Sequence, residues 1–208
     1  IEKTRFLSGT AYIGFPVNET VIYPNFQNNV AELGKIRSTI DSVRNDSDIT
    51  IKSLAIKGFA SPESPYDNNA RLAAGRTEAV KQYVNDLYHF APDFIQTSYE
   101  PEDWAGLRER VAESNLPHKA EIIELIDSDR EPDNKEWKIK ATYKDEYRFM
   151  LDNFYPYLRH SDYFIEYGIR SYTDPKEIGN VMKVKPQNLS LEEFYAYAMT
   201  LEPGSPEF

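Results

Sequence analysis

The sequence predicts an α/β (α+β) fold in which helices pack on a small mixed sheet, in the order β-α-β-α-β, a helical insertion, then a final β. Three observations carry this. Segments of alternating apolar and polar residues occur near the N-terminus, from Ile49 to Ile56 and from Tyr163 to Ile169, and a pleated strand turns successive side chains to opposite faces. Between the first two, Val30, Leu33, Ile36, Ile40 and Val43 step by three and four, the spacing of one helix face. A second stripe of that kind follows the second strand, at Leu72, Ala79, Val80, Tyr83, Val84 and Leu87. Parallel strands bridged by a helix bury their sheet on the bridged side.

Taken in order, Ile1 to Phe15 reads as a first strand, and Pro16 and Pro24 bar the next stretch from a central ladder position. A helix runs from Asn28 to Arg44. The second strand carries one slip of phase between Ile51 and Leu54, as a bulge would give. A helix from about Asp67 to Tyr88 and a short strand from Phe94 to Tyr99 complete the β-α-β-α-β series. The insertion, at about 103–160, opens with helices at Trp104–Ser114 and from Pro117, a residue suited to a first helical position. Asp127 to Asp133 reads as a solvated acidic loop, and Tyr147 to Leu158 as another amphipathic helix. After the last strand, 174–208 reads as a polar linker, DPKEIGN, and the start of a C-terminal helical segment. Its Ser190 and Glu193 form a capping box. The first residue is Ile1 rather than Met, which predicts a removed N-terminal segment. SPEF at the other end resembles the opening of a further helix, so the protein is expected to continue past Phe208.

Composition narrows the function classes. The 208 residues carry 34 acidic and 24 basic side chains, a net charge of -10, which disfavours nucleic acid and anionic membrane surfaces as partners. No apolar run approaches the roughly 18 residues of a membrane span. With no cysteine, there is no disulfide, thiolate metal ligand or thiol nucleophile. His89, His118 and His160 lack metal-ligand spacing and read as solvated or capping residues. The acidic run at 127–133 imitates a calcium loop, but Pro132 stands where glycine is required. No nucleophile elbow, phosphate loop or paired carboxylates converge, so neither an enzyme nor a cofactor is expected.

The functional lead lies between Ile56 and Tyr83. A strand ends at Gly58-Phe59, a loop of Ser, Pro, Glu and Asp follows, and a helix opens. Asn69 and Arg76, seven residues apart, project from nearly the same side of that helix. A guanidinium below a turn with free N–H groups at a helix start makes an anion pocket.

These residues carry a resemblance. Gly58, Asn69, Leu72 and Arg76 stand at the spacing of the OmpA-like, peptidoglycan-associated domain, whose signature runs G-x-T-D-x-x-G, then Asn, then Leu-Ser-x-x-Arg-Ala. Phe15 and Pro24 are similarly placed upstream. The likeness covers about Thr10 to Tyr99 and resumes at Tyr163 to Tyr172, so that 1–173 resembles an OmpA-like sandwich with an enlarged helical connection. The loop Ala60-Ser61-Pro62-Glu63 looks like a branch found in Gram-negative envelope proteins, in which a segment resembling tetratricopeptide repeats follows.

The resemblance implies a periplasmic, outer-membrane-associated module that binds the diaminopimelate of peptidoglycan or meets other envelope proteins. In the family an Asp in the loop faces the ligand's ammonium, and the helix Arg holds a carboxylate. Arg76 and Asn69 match their positions. Ser61 stands where the Asp belongs and Ser64 replaces the loop Gly, so half of the zwitterion clamp is missing. Glu63, two residues on, is placed to compensate, whereas pairing of Arg76 with Glu63 or Asp67 would make it structural glue. The ligand set implied is therefore Arg76, Asn69, Ser61, Glu63 and Asp67. The competing expectation is a protein–protein scaffold that presents the extra helices.

Overall fold

The structure, a computed structural model, describes residues 2–207. Ile1, at the start of the expected first strand, and Phe208, in the expected opening of a further helix, lie outside the described residues. The elements are β1 (Lys3–Ala11), α1 (Asn29–Arg44), β2 (Ile49–Phe59), α2 (Tyr66–Tyr88), β3 (Ile95–Glu100), α3 (Trp104–Glu113), α4 (Lys119–Asp127), α5 (Pro132–Thr142), α6 (Lys144–Asn153), β4 (Ser161–Ile169), α7 (Pro175–Val184) and α8 (Leu191–Ala198). Short 3-10 turns occupy Tyr155–Leu158 and Pro186–Asn188. The fold is α+β, with a four-stranded mixed sheet in the order β1-β4-β2-β3. β2 and β3 are parallel, from Leu54 opposite Ile95 to Phe59 opposite Glu100. The Phe59 N–H donates to the His160 carbonyl and the Arg170 N–H to the Asp48 carbonyl. As one strand's numbers rise the other's fall, so β4 runs antiparallel to β2.

Several expectations are corrected. β1 ends at Ala11, so Tyr12 to Phe15 leave the sheet as irregular chain, freed to border a cleft. The acidic loop expected over 127–133 ends at Glu131, because α5 starts at Pro132 and runs on through a stretch where the sequence predicts no element. Its single fully buried residue is Ile139, and one anchor makes no periodic stripe. The expected helix from Tyr147 to Leu158 is α6 followed by a 3-10 turn. Pro156 removes a backbone donor and bars a continuous α-helix there. Pro117 stands two residues ahead of α4, whose N-cap is His118. The run DPKEIGN begins α7 and is no linker; the Asp174 side chain accepts from the Lys176 N–H and caps it. The tail at Ser205–Glu207 is a turn.

Two compact units divide the chain. One comprises residues up to Phe6, Ser42–Lys52 and from Glu166 on; the other comprises Leu7–Asp41 and Ser53–Ile165. In the smaller, Ile169, Tyr172, Ile178, Val181 and Leu189 form a core. Lys185 Nζ donates to Asp46 and Asp48 at 2.7 Å each, and the Tyr172 hydroxyl adds a bond to Asp48 at 2.8 Å. The predicted capping box of Ser190 and Glu193 is formed, and Glu193 also pairs with Lys3.

Along β2, Leu54, Ile56 and Gly58, in the larger unit, are the buried phase, whereas Ile49 and Ile51, in the smaller, follow the opposite phase. That is the slip read from the sequence. α2 packs along β3. The insertion builds its own core from Leu107 and Val111 of α3, Ile122 and Ile126 of α4, Ile139 of α5, Tyr147 and Met150 of α6, and Tyr155 and Leu158 of the turn. Nine buried side chains on five consecutive elements make it a rigid wall rather than a loose excursion. No helix among the described residues is long and apolar enough to cross a membrane.

Candidate anion-binding cleft

β2 delivers Phe59 to its end, and the chain then turns through Ala60–Pro65 before α2 starts at Tyr66. Pro65 sits at the N-cap without a side-chain bond, since it has none to offer. The Tyr66 N–H is taken by the Asp133 carboxylate of α5 at 2.8 Å. An internal carboxylate therefore occupies the helix start, where the dipole favours negative charge. One of the N–H groups expected to be free there is therefore already taken. The site also carries cations.

Arg76 lies nearly three turns into α2. Its Nε donates to the Glu19 carbonyl at 3.1 Å, and its guanidinium lies over the Phe15 ring at 4.9 Å. No carboxylate among the described residues pairs with it within 4 Å. Burial, together with the nearby Arg159 and Arg71 cations, pulls its pKa down to about 10, while Glu63 acts in the other direction. It remains charged at neutral pH, in a setting that an incoming anion would relieve.

Two clefts meet at this side chain. The first, of about 230 Å³, runs between the Tyr12–Phe15 segment and Arg159-His160. The second, of about 590 Å³, opens over the 60–64 loop and reaches Lys140 and Tyr147. Phe15, Arg76 and Arg159 belong to both.

The other expected site residues divide. Ser61 is buried; its hydroxyl donates to Glu63 at 3.1 Å and accepts from Arg159 Nε at 3.1 Å. Glu63 closes this triangle by an ion pair with Arg159. Arg76 is accordingly not glued to Glu63. Asn69 is buried, with its amide donating to the Ser64 carbonyl at 2.7 Å and to Glu102 at 2.8 Å. Glu102 is itself buried and also accepts from the Trp104 indole at 2.7 Å. Burial raises its pKa against the lowering effect of these two bonds. Asn69 thus ties the loop to the segment before α3 as well as lining the second cleft. Asp67 is exposed beside Glu131 and Asp133, away from the Arg76 clefts, and does not pair with Arg76.

Sequence reasoning missed Arg159 and Lys140. Neither sits in a motif; the first falls between a turn and a strand, and the second on a helix with no stripe. The His160 reading also changes. Rather than being solvated, it is held between Asp103 and Asp162 and stacked on Phe59 at 4.2 Å. His89 does cap a helix: it takes the left-handed conformation at the end of α2, with φ 53°. Among the described residues no group of three or more His, Asp or Glu could hold a metal ion.

The cleft can hold an anion by charge and hydrogen bonds, and it has an acidic group, Glu63, at its rim. Compared with protein-family models the chain matches none, and compared with curated proteins it finds no match.

Proposed function

We propose that this chain is a non-catalytic module of a Gram-negative cell envelope, periplasmic and associated with the outer membrane, that holds a carboxylate of peptidoglycan peptide or a related ligand on Arg76. One observation carries the reading: Arg76 borders two clefts and has no acidic partner among the described residues. A half-buried cation without an acidic partner is costly, and a ligand carboxylate would offset that cost with charge-assisted bonds. The likeness to the OmpA-like domain supports it through Gly58, Asn69, Leu72 and Arg76. Ser61 cannot neutralise an ammonium, so recognition of a zwitterion falls to Glu63, which would have to exchange out of its pair with Arg159.

The experiment is titration of the ¹⁵N-labelled protein with diaminopimelate and a muropeptide. Shifts should centre on Phe15, Glu63 and Arg76 and vanish in Arg76→Ala. An unperturbed spectrum at saturating ligand would sink the reading.

A second reading, a scaffold for envelope proteins, is favoured by α8. Leu191, Tyr195 and Met199 recur at four-residue spacing and are 85%, 72% and 78% exposed, an apolar stripe turned to water. Under this reading partner capture survives Arg76→Ala and is lost in Leu191→Asp/Tyr195→Asp.

A further inference from the structure

The second cleft does not stop at Lys140. A third hollow, of about 590 Å³, is formed by α5 and α6, and Lys140, Tyr147 and Leu151 line both it and the second cleft. Its walls add Lys144 and Arg148, one helical turn apart on α6 and so about 6 Å along the axis. Neither pairs with a carboxylate among the described residues, and neither does Lys140, whose ammonium lies over the Tyr147 ring at 5.7 Å. From Arg76 through Arg159 and Lys140 to Lys144 and Arg148, five cations succeed one another. The two carboxylates in these walls are engaged: Glu63 by Arg159, and Glu136 by the Tyr147 hydroxyl. This concentration of positive charge lies on a chain of net charge -10. Charge of one sign lining a concave surface gathers ligands of the other.

Trp137 stands at the same hollow and is 60% exposed. An indole is the most costly side chain to leave in water, and its flat face suits a ring with apolar C–H groups on one side. Carboxylates along a chain meet the cations, and pyranose rings meet the indole.

We infer that these hollows form one track for an acidic oligosaccharide, a glycan whose successive sugars carry carboxylates, with the Arg76 cleft at one end and Trp137 at the other. The inference rests on the anion-binding reading of the Arg76 cleft and extends it from a single carboxylate to a chain of them. An acidic peptide would satisfy the cations but leaves the indole unexplained.

Calorimetric titration with oligogalacturonate, galacturonic acid, a neutral cello-oligosaccharide, polyglutamate and diaminopimelate separates the outcomes. Oligogalacturonate should bind at least about tenfold more tightly than the monomer and weaken steeply with salt. The neutral oligosaccharide should not bind. Lys144→Glu/Arg148→Glu should cost oligogalacturonate at least about tenfold and Trp137→Ala about threefold, with diaminopimelate affinity unchanged by either. All three residues are exposed, so the variants should fold, which circular dichroism checks. Absence of oligogalacturonate binding, or binding indifferent to the double variant, overturns the inference while leaving the Arg76 reading intact. Polyglutamate binding as tightly, with Trp137→Ala silent, overturns the glycan in favour of an acidic peptide. Loss of diaminopimelate binding alone would count against the single-carboxylate reading and not against this one.

Discussion

His160 and Asp103 face each other at 2.9 Å, imidazole Nε2 donating to the carboxylate Oδ2, in a nearly buried site. The other ring nitrogen donates to Asp162 at 2.7 Å, and the Thr10 hydroxyl holds that carboxylate from behind at 2.9 Å. Asp103 also caps α3 by accepting from the Gly106 N–H. One imidazolium therefore fastens the first helix of the insertion to β4.

This clamp makes stability fall with alkali. Burial by itself lowers the His160 pKa, but the bonds and charges of Asp103 and Asp162 outweigh it and push the pKa up to about 9, from an ordinary 6.5. The folded state thus binds the proton more tightly than the unfolded state, so its contribution is complete below pH 6.5 and disappears as pH rises through 9. The Asp162 pKa is lowered, His160 overcoming the opposing effect of burial, so its share is present above the ordinary 3.8 and lost on acidification. Unfolding free energies from urea titrations should keep the His160 contribution up to about pH 6.5 and then drop, by on the order of 3 kcal/mol by pH 10. In His160→Gln that alkaline drop should vanish. Parallel curves for the two proteins would dispose of the clamp.

Asn69 should behave as a loop anchor before it behaves as a ligand contact. Its amide serves the Ser64 carbonyl and the buried Glu102 together. Asn69→Ala leaves a buried carboxylate short of a donor, which costs about 2–3 kcal/mol. Asn69→Asp would set a second carboxylate against Glu102 and should cost more. Chemical denaturation at pH 7 gives both values, and a loss below about 0.5 kcal/mol for Asn69→Ala would show the anchor to be idle.

Gly58 is glycine because α2 passes too close for anything larger. A Cβ there would lie 1.8 Å from the Thr77 hydroxyl and 3.3 Å from the Ala73 carbonyl, and Thr77 is held in place by its own bond to that carbonyl at 2.6 Å. Gly58→Ala should cost about 1–3 kcal/mol by overpacking, and Thr77→Ala about 1 kcal/mol. The two should not add: removing the hydroxyl makes room for the methyl, so the double variant should recover about 1 kcal/mol relative to the sum. Strict additivity in a double-mutant cycle would place the strain elsewhere.

The first two helices were legible because each buries one periodic face; Leu33, Ile36 and Ile40 on α1 and Val80 and Val84 on α2 are all in the core, whereas β3 buries Ile95 alone and was read from its place in the series. The insertion was half legible. α3 and α4 repeat that pattern at Leu107 and Val111 and at Ile122 and Ile126, whereas α5 touches the core through Ile139 and leaves Trp137 in water. α7 was hidden by charge: Ile178, Gly179 and Val181 are its buried residues beyond a polar first turn. At the site, Arg76 was found through its helical spacing from Asn69. Arg159 reaches it from 83 positions later in the chain, and that juxtaposition comes from tertiary packing, to which local spacing is blind. Asp67 failed for the converse reason: its sequence position is near the cleft, but the first turn of α2 faces it toward Asp133.

Glu63 now occupies Arg159 as a ligand carboxylate would, with Ser61 completing the contact. The Glu63 and Arg159 side chains are 39% and 36% exposed, so the pair contributes roughly 1 kcal/mol or less, and Glu63→Gln should leave stability nearly unchanged. Removing its charge leaves Arg76 and Arg159 side by side with only an anion from solution to answer them. Affinity for glutarate, a dicarboxylate without an amine, should therefore rise about three- to fivefold, the equivalent of up to about 1 kcal/mol. Diaminopimelate gains the same second carboxylate contact but loses the one acidic group at the rim that can face its ammonium, so its affinity should rise less than that of glutarate. The ratio of the two affinities, measured by calorimetry in wild type and Glu63→Gln, reads this directly. Weaker glutarate binding in the variant would mean that Glu63 orders the cleft rather than competing for it.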